Sequence, residues 1–427
     1  RHRLCSRMRL LPLLACIAYA GAISTDGILS KAKAIEEFVV STRRELHQIP
    51  ERGSSEFKTS EAIKRILGEL GVSFTQVFET GIVATIGTGK KPVVALRADI
   101  DALPIQEPEG FVPFRSQHQG WMHACGHDGH TSMLLGAAKL LKGVEPELKG
   151  TVRLVFQPNE EFGAGGEHVV KEGALEGVEA VFGMHVMPHI PSGQVGTRAG
   201  TIMAGALSFH IIIQGRGGHA AIPHLNVDPI VAAAGVISAL QTLVSRETSP
   251  MGSAVLSVTL LRAGDAYNVI PDEAHFGGTI RGLDHALLQR LQGRVESLTT
   301  SVAAGYGCNV SVDWRLQEQP YYPPTVNDAA TVAFTNEVVA KLLGADAPVA
   351  VEPLMAGEDF AFYCRAAPCT MAFLGIRNET LGSVHNLHNP KFLLDESVLH
   401  KGSALHAAWA VEYLARHGSS GASKSEL

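Results

Sequence analysis

The segment His123-Ala124-Cys125-Gly126-His127-Asp128-Gly129-His130 packs one thiol and three imidazoles into a single short stretch. Cys125 and His127 stand two apart, as one loop gripping a metal ion requires. No second Cys/His pair lies nearby to close a tetrahedron, so further ligands must come from distant sequence. They are found where apolar, strand-like runs end on ligating residues. The run from Val93 to Ala98 ends at Asp99 and Asp101, and the run from Val152 to Phe156 leads to Glu160 and Glu161. Ala180 to Met184 ends at His185, and Thr370 to Gly375 leads into a loop with His385 and His388. In an open α/β sheet, residues beyond the carboxyl ends of several strands converge on one crevice.

Adjacent carboxylates can divide labour at such a centre. Glu161 binds a cation, while Glu160 accepts a proton from attacking water and later delivers it to a leaving nitrogen. A Cys125 thiolate shared by two divalent cations would hold them close, where they could together polarise one carbonyl. His127, Glu161, His185 and His388 would complete the two coordination shells. Asp99 and Asp101 either orient the ligating imidazoles or cap loops. A Gly-rich loop, Gly215 to His224, offers His219 as a donor to a developing oxyanion. Asn268 and Arg281 belong to the same region, and a guanidinium suits a substrate carboxylate. Read alone, surface or core roles for His219, Asn268 and Arg281 stay equally open.

The elements that must position these residues follow from periodicity. Helical patterns run to Arg44 and from Ala62 to Leu70, and Met133, Leu134, Ala137, Ala138 and Leu141 form the apolar face of a helix launched by the Cys125 loop. Strands and helices then alternate to about Val195, which predicts a mostly parallel α/β sheet covered on both faces. From Leu207 the order changes to strand 207–214, helix 229–245, strands 253–261 and 274–280, helix 285–304 and strand 308–315. That βαββαβ order is a ferredoxin-like unit inserted into the first domain, because helix–strand alternation resumes at Asp328. The expected division is a leader over 1–22, a catalytic domain over 32–200 and 317–417, the insertion over 201–316, and a tail over 418–427.

At 427 residues the chain exceeds the size of one growing core. Its net charge of −6 and its dispersed basic residues give no electrostatic case for nucleic acid. Arg7 and Arg9 precede an apolar stretch from Leu10 to Tyr19, followed by small residues at Ala20 to Ala22, the pattern of a secretory leader too short to span a bilayer. The chain ends Lys424-Ser425-Glu426-Leu427, close to an endoplasmic-reticulum retention signal. The expected location is therefore the reticulum lumen, or secretion if the tail is not recognised. Asn309 and Asn378 head glycosylation sequons. If Cys125 is a ligand, at most one disulfide can form among Cys308, Cys364 and Cys369.

Taken together, these motifs resemble the M20 metallopeptidases, and within them the amidohydrolase branch that includes plant auxin-conjugate hydrolases. The resemblance is carried by the Cys125 loop, Arg97 to Pro104, Gln157-Pro158-Asn159-Glu160-Glu161, Phe182-Gly183-Met184-His185, Gly217 to Ala221, Asn268 to Asp272, Gly278 to Arg281, Glu358-Asp359-Phe360 and Leu387 to Pro390. It implies a binuclear centre ligated by Cys125, His127, Glu161, His185 and His388, with Glu160 as general base. It implies that the insertion is a lid or dimerisation domain, so a homodimer is expected, with His219 contributing to the site. Manganese comes first by resemblance, whereas a Cys/His shell alone suits zinc. Arg52, Trp121 and Asn159 depart from the family pattern, and none of them removes a ligand. The expected activity is amide hydrolysis of N-acyl amino acids, foremost indole-3-acetyl conjugates, with hippurate or N-acetyl-amino-acid hydrolysis as the alternative. A non-catalytic metal- or conjugate-binding protein is the rival class, and Glu160 argues against it, since pure binding needs no base beside a ligand.

Overall fold

The computed structural model describes residues 25–418, so the expected leader and the retention-like tail lie outside the described residues. A large sheet carries the strands in the order Ser73–Val77, Gly81–Gly87, Thr151–Gln157, Val93–Asp99, Ala180–Pro191, Cys369–Arg377, Val195–Thr197 and Pro348–Ala350. Its central pairings, Thr151–Gln157 with Val93–Asp99, Val93–Asp99 with Ala180–Pro191, and Ala180–Pro191 with Cys369–Arg377, are parallel. Every residue of Val93–Asp99 is buried. Val94, Leu96 and Ala98 enter one apolar cluster while Ala95 enters another on the opposite face. Such a strand needs apolar residues at both parities, which explains its unbroken apolar run. On one face the helix His127–Lys142 packs against Leu399–His417, whose Trp409 stacks on Phe182 at 5.3 Å. The pairings of Ser73–Val77 with Gly81–Gly87, of Gly81–Gly87 with Thr151–Gln157 and of Cys369–Arg377 with Val195–Thr197 are antiparallel, so the sheet is mainly rather than wholly parallel.

The inserted unit is a second, antiparallel sheet in the order Ala254–Ala263, Glu273–Gly282, Gly205–Gln214 and Asn309–Asp313. Its first and third strands pair centrally and the other two lie at the edges, as in a ferredoxin-like unit. Gly205–Gln214 alternates buried and half-buried residues. Leu207, Phe209, Ile211 and Ile213 pack inward, and Ala206 and Ser208 turn toward a cleft. Asp228 and Asp284 accept backbone N–H groups at the starts of the two covering helices, Pro229–Leu240 and His285–Gly305. The helix expected over 229–245 is two pieces, Pro229–Leu240 and Thr242–Ser245. A short ribbon, Gly218–His219 with Val269–Ile270, is an addition the periodicity did not indicate. Cys364 and Cys369 form a disulfide, and Cys125 and Cys308 are free. Among the described residues no helix is long and apolar enough to cross a membrane.

Candidate metal centre

The Cys125 loop turns through Gly126, whose φ of 90° is left-handed and where a Cβ would lie 2.5 Å from Val186 Cγ2. That turn starts the helix His127–Lys142 and places Cys125 in the wall of the cleft with His127 buried beside it. His127 Nδ1 bonds to Asp101, at 3.0 Å to its carbonyl and 3.1 Å to Oδ1, which leaves Nε2 facing the site. His185 bonds through Nδ1 to the Val186 carbonyl at 2.7 Å, so its Nε2 faces Cys125 Sγ at 3.3 Å. His388 Nε2 lies 3.3 Å from the same sulfur and 3.2 Å from Glu161 Oε1. His388 adopts a left-handed φ of 62°, and its N–H donates to the Ala124 carbonyl, pinning this distant loop to the Cys125 turn.

Glu160 and Glu161 occupy a one-turn helix, Glu160–Gly163, bracketed by two non-glycine residues at positive φ, Asn159 at 58° and Ala164 at 50°. Asp101 Oδ2 accepts the Glu161 N–H at 2.9 Å, so one aspartate aligns both His127 and the glutamate turn. Asp99 instead bonds His130 Nδ1 at 2.6 Å and Arg97 Nη1 at 2.7 Å. His130 in turn accepts the Val186 N–H and packs its ring 4.5 Å from that of His185. Both aspartates therefore support imidazoles, and Asp101 also satisfies an N-terminal donor of the helix Glu160–Gly163.

Carboxylates outnumber cations in this region. Arg97 is buried and contacts Asp99, Glu358 and Asp359. Burial first, then the neighbouring charges of Glu358 and Glu161, hold the Glu160 carboxyl well above its ordinary range. Burial likewise raises Asp359 to about 8, against the opposing Arg97 charge. Glu161 is shifted downward: burial opposes its charge, and the His388 hydrogen bond and the His127 charge outweigh it. Burial, followed by Glu161 and Glu160, pushes the Cys125 thiol far up.

The sequence matches the family described as Peptidase family M20/M25/M40 over residues 95–412. The chain belongs to that family. It is 45% identical over 387 residues to IAA-amino acid hydrolase ILR1-like 4 of Arabidopsis thaliana, covering 90% of this chain and 88% of the relative. It is 42% identical to the N-acetyl-L-cysteine deacetylase of Bacillus subtilis, covering 86% of each. The structure superposes on a dinuclear metal-binding M20 peptidase of Bacillus subtilis with a TM-score of 0.77 and 38% identity, covering 90% of this chain and 99% of the other.

The M20 chain has residues that fit metal ions. Two donor groups, Cys125–His127–His185 and Cys125–Glu161–His388, each bring their ligand atoms within 4.8 Å of one another, and Cys125 belongs to both. Two ligands bound to one zinc-like ion at about 2.1 Å lie roughly 3.4 Å apart, close to the separations at Cys125. Among the described residues His127 Nε2 is buried with no hydrogen-bond partner, and Glu161 Oε1 meets His388 in an ion-pair contact. An orphaned donor atom beside surplus buried carboxylate is what a cation would satisfy.

The remaining candidates divide. Arg281 lines the cleft, half-buried, with Nη1 donating to the Met355 carbonyl at 3.1 Å. No carboxylate pairs with it among the described residues, and burial alone lowers its pKa. His219 and Asn268 are exposed at the short ribbon, where His219 pairs with Val269 and the Ala220 N–H donates to the Asn268 carbonyl. The structure does not bring either into the cleft. Sequence reasoning assigned no role to His130, Glu56 or Tyr322. Buried Glu56 accepts the Asn159 N–H at 2.8 Å, and Tyr322 bonds the glutamate turn. His130 had a signal in its motif; the other two had none.

Proposed function

We propose that this chain is a two-ion amidohydrolase of N-acyl amino acids, with indole-3-acetyl amino acids as the first substrate class. The observation that carries the reading is the pairing, in one cleft of about 510 Å³, of the Glu160–Glu161 turn with the unpaired Arg281 guanidinium. Cys125, His127, Glu161, His185 and His388 would hold two divalent ions, manganese first on the family resemblance and zinc second on donor chemistry. Bound there, the ions supply Lewis acidity that polarises a carbonyl and acidifies water. Arg281 holds the substrate carboxylate as a charge-assisted fork. Glu160 takes the proton of the attacking water and passes it to the departing amine.

Phe162 lines the same cleft, with the Trp121 ring at 6.5 Å and the Arg52 guanidinium 5.6 Å from its centroid. This aromatic surface supports a flat acyl group such as indole. The deacetylase relative supports N-acetyl amino acids as the second reading. His219 and Asn268 reach the substrate only through domain closure or from a second copy, and a homodimer through the inserted domain is part of the proposal. So is a location in the reticulum lumen, which rests on the sequence signals at both ends.

The test offers manganese-supplemented protein a panel of indole-3-acetyl, benzoyl and acetyl amino acids, each with its methyl ester, and follows release of amine. Release is expected to be fastest from indole-3-acetyl conjugates. Arg281→Ala is expected to abolish the preference for the free carboxylate, reducing kcat/KM on the acids by about tenfold or more and leaving the esters near wild type. No release from any member would refute the function. Equal loss on acids and esters would move carboxylate recognition away from Arg281.

A further inference from the structure

The inserted domain is joined to the large one by two chain crossings, and these are stitched together. The Ala206 N–H donates to the Tyr322 carbonyl at 2.8 Å, and the Tyr322 N–H donates to the Ala206 carbonyl at 3.1 Å. Ala206 lies at the start of the entering strand Gly205–Gln214, and Tyr322 lies on the returning segment after Asn309–Asp313. This pair is a hinge by position.

The Tyr322 side chain leaves the hinge and reaches the glutamate turn. Its hydroxyl donates to the Glu160 carbonyl and accepts the Ala164 N–H at 3.1 Å. A four-residue helix cannot satisfy its own terminal groups, so an outside partner bonding both ends fixes it. The flanking left-handed residues Asn159 and Ala164 are costly conformations that persist only under external support. Space is also tight there: a Cβ on Gly165 would fall 1.8 Å from the Pro158 carbonyl oxygen.

We propose that Tyr322 is a positioning residue that ties the Glu160 turn to the hinge of the inserted domain, so that movement of that domain sets the alignment of the general base. The proposal rests on Glu160 being the base. Swinging the inserted sheet about Ala206 and Tyr322 carries the hydroxyl with it and pulls on both ends of the turn. A shift of an ångström at a reacting group can cost on the order of a hundredfold in rate.

The test uses Tyr322→Phe, which keeps the ring and removes only the two hydrogen bonds. On an acyl amino acid cleaved by wild type, kcat is expected to fall about 10- to 100-fold, with KM within about twofold and metal content unchanged. Combined with Glu160→Asp, which already displaces the carboxylate, the same change is expected to cost less than about threefold. Amide exchange of the segment 159–166 is expected to quicken in Tyr322→Phe without a comparable change elsewhere. Wild-type kcat, a loss that tracks metal content or KM, or a full undiminished loss in the Glu160→Asp background would each overturn the proposal. If wild type cleaves no acyl amino acid, the function fails instead. The exchange measurement then decides the tie alone, and unchanged exchange at 159–166 overturns it.

Discussion

Cys125 Sγ lies 3.3 Å from the Nε2 atoms of both His185 and His388, so one sulfur serves two donor groups. The neighbouring carboxylates carry opposite tendencies: Glu160 is driven toward its protonated form and Glu161 toward its charge. That asymmetry gives the adjacent residues different expected outcomes. Glu160→Gln should retain bound metal and lose turnover by about a thousandfold or more, because the amide keeps the shape but takes no proton. Glu161→Gln should lose metal first. Metal analysis beside rate measurement separates the two, and equal metal loss in both variants would contradict the assignment. The clustering of these residues was legible from sequence because thiols, imidazoles and paired carboxylates at the ends of apolar runs are chemically conspicuous. Tyr322 and Glu56 were not, since a tyrosine in a linker and a glutamate before a helix carry no signal of type or spacing.

The glutamate turn depends on neighbours contributed by other elements. Glu56, just before the helix Phe57–Glu69, bonds the Asn159 N–H and the Thr80 hydroxyl at 2.7 Å. Burial, followed by the Asp101 charge, raises its carboxyl from 4.5 to about 7. Between those pH values the native chain holds a proton that the unfolded chain has released. The associated stability is complete below about pH 4.5 and is lost as pH rises to about 7, on the order of 3 kcal/mol. Thermal melts of Glu56→Gln are therefore expected to fall less between pH 5 and pH 8 than those of wild type. An identical fall would remove Glu56 as the titrating group. Element types were readable from apolar periodicity, but His185 shows where that reading stops. It sits inside Ala180–Pro191 rather than at its end, paired with Phe373, because the strand continues past it along Cys369–Arg377. A polar residue ends an apolar run in sequence without ending a strand whose backbone still has a partner.

At the scale of the whole molecule, two sheets with separate cores meet at one cleft, and the smaller sheet is built from strands that the βαββαβ reading of the sequence anticipated. The distance of His219 from the cleft was not readable, because it depends on how the domains stand to each other. The proposed passage through the reticulum lumen has a testable consequence. Asn309 is exposed on an edge strand, whereas Asn378 donates to Asp395 at 2.9 Å and accepts the Leu381 N–H. Glycan release should therefore shift the mobility of the lumenally expressed protein, and Asn309→Gln should abolish that shift while Asn378→Gln leaves it. A glycan on Asn378 would contradict this. The central claim, that these five side chains gather two ions for amide hydrolysis, is tested most directly by titrating chelator-stripped protein with manganese while following cleavage of an indole-3-acetyl amino acid. The account predicts no turnover in the stripped protein and a rise that saturates at two ions per chain. Full turnover by the stripped protein, or saturation at a single ion, would contradict it.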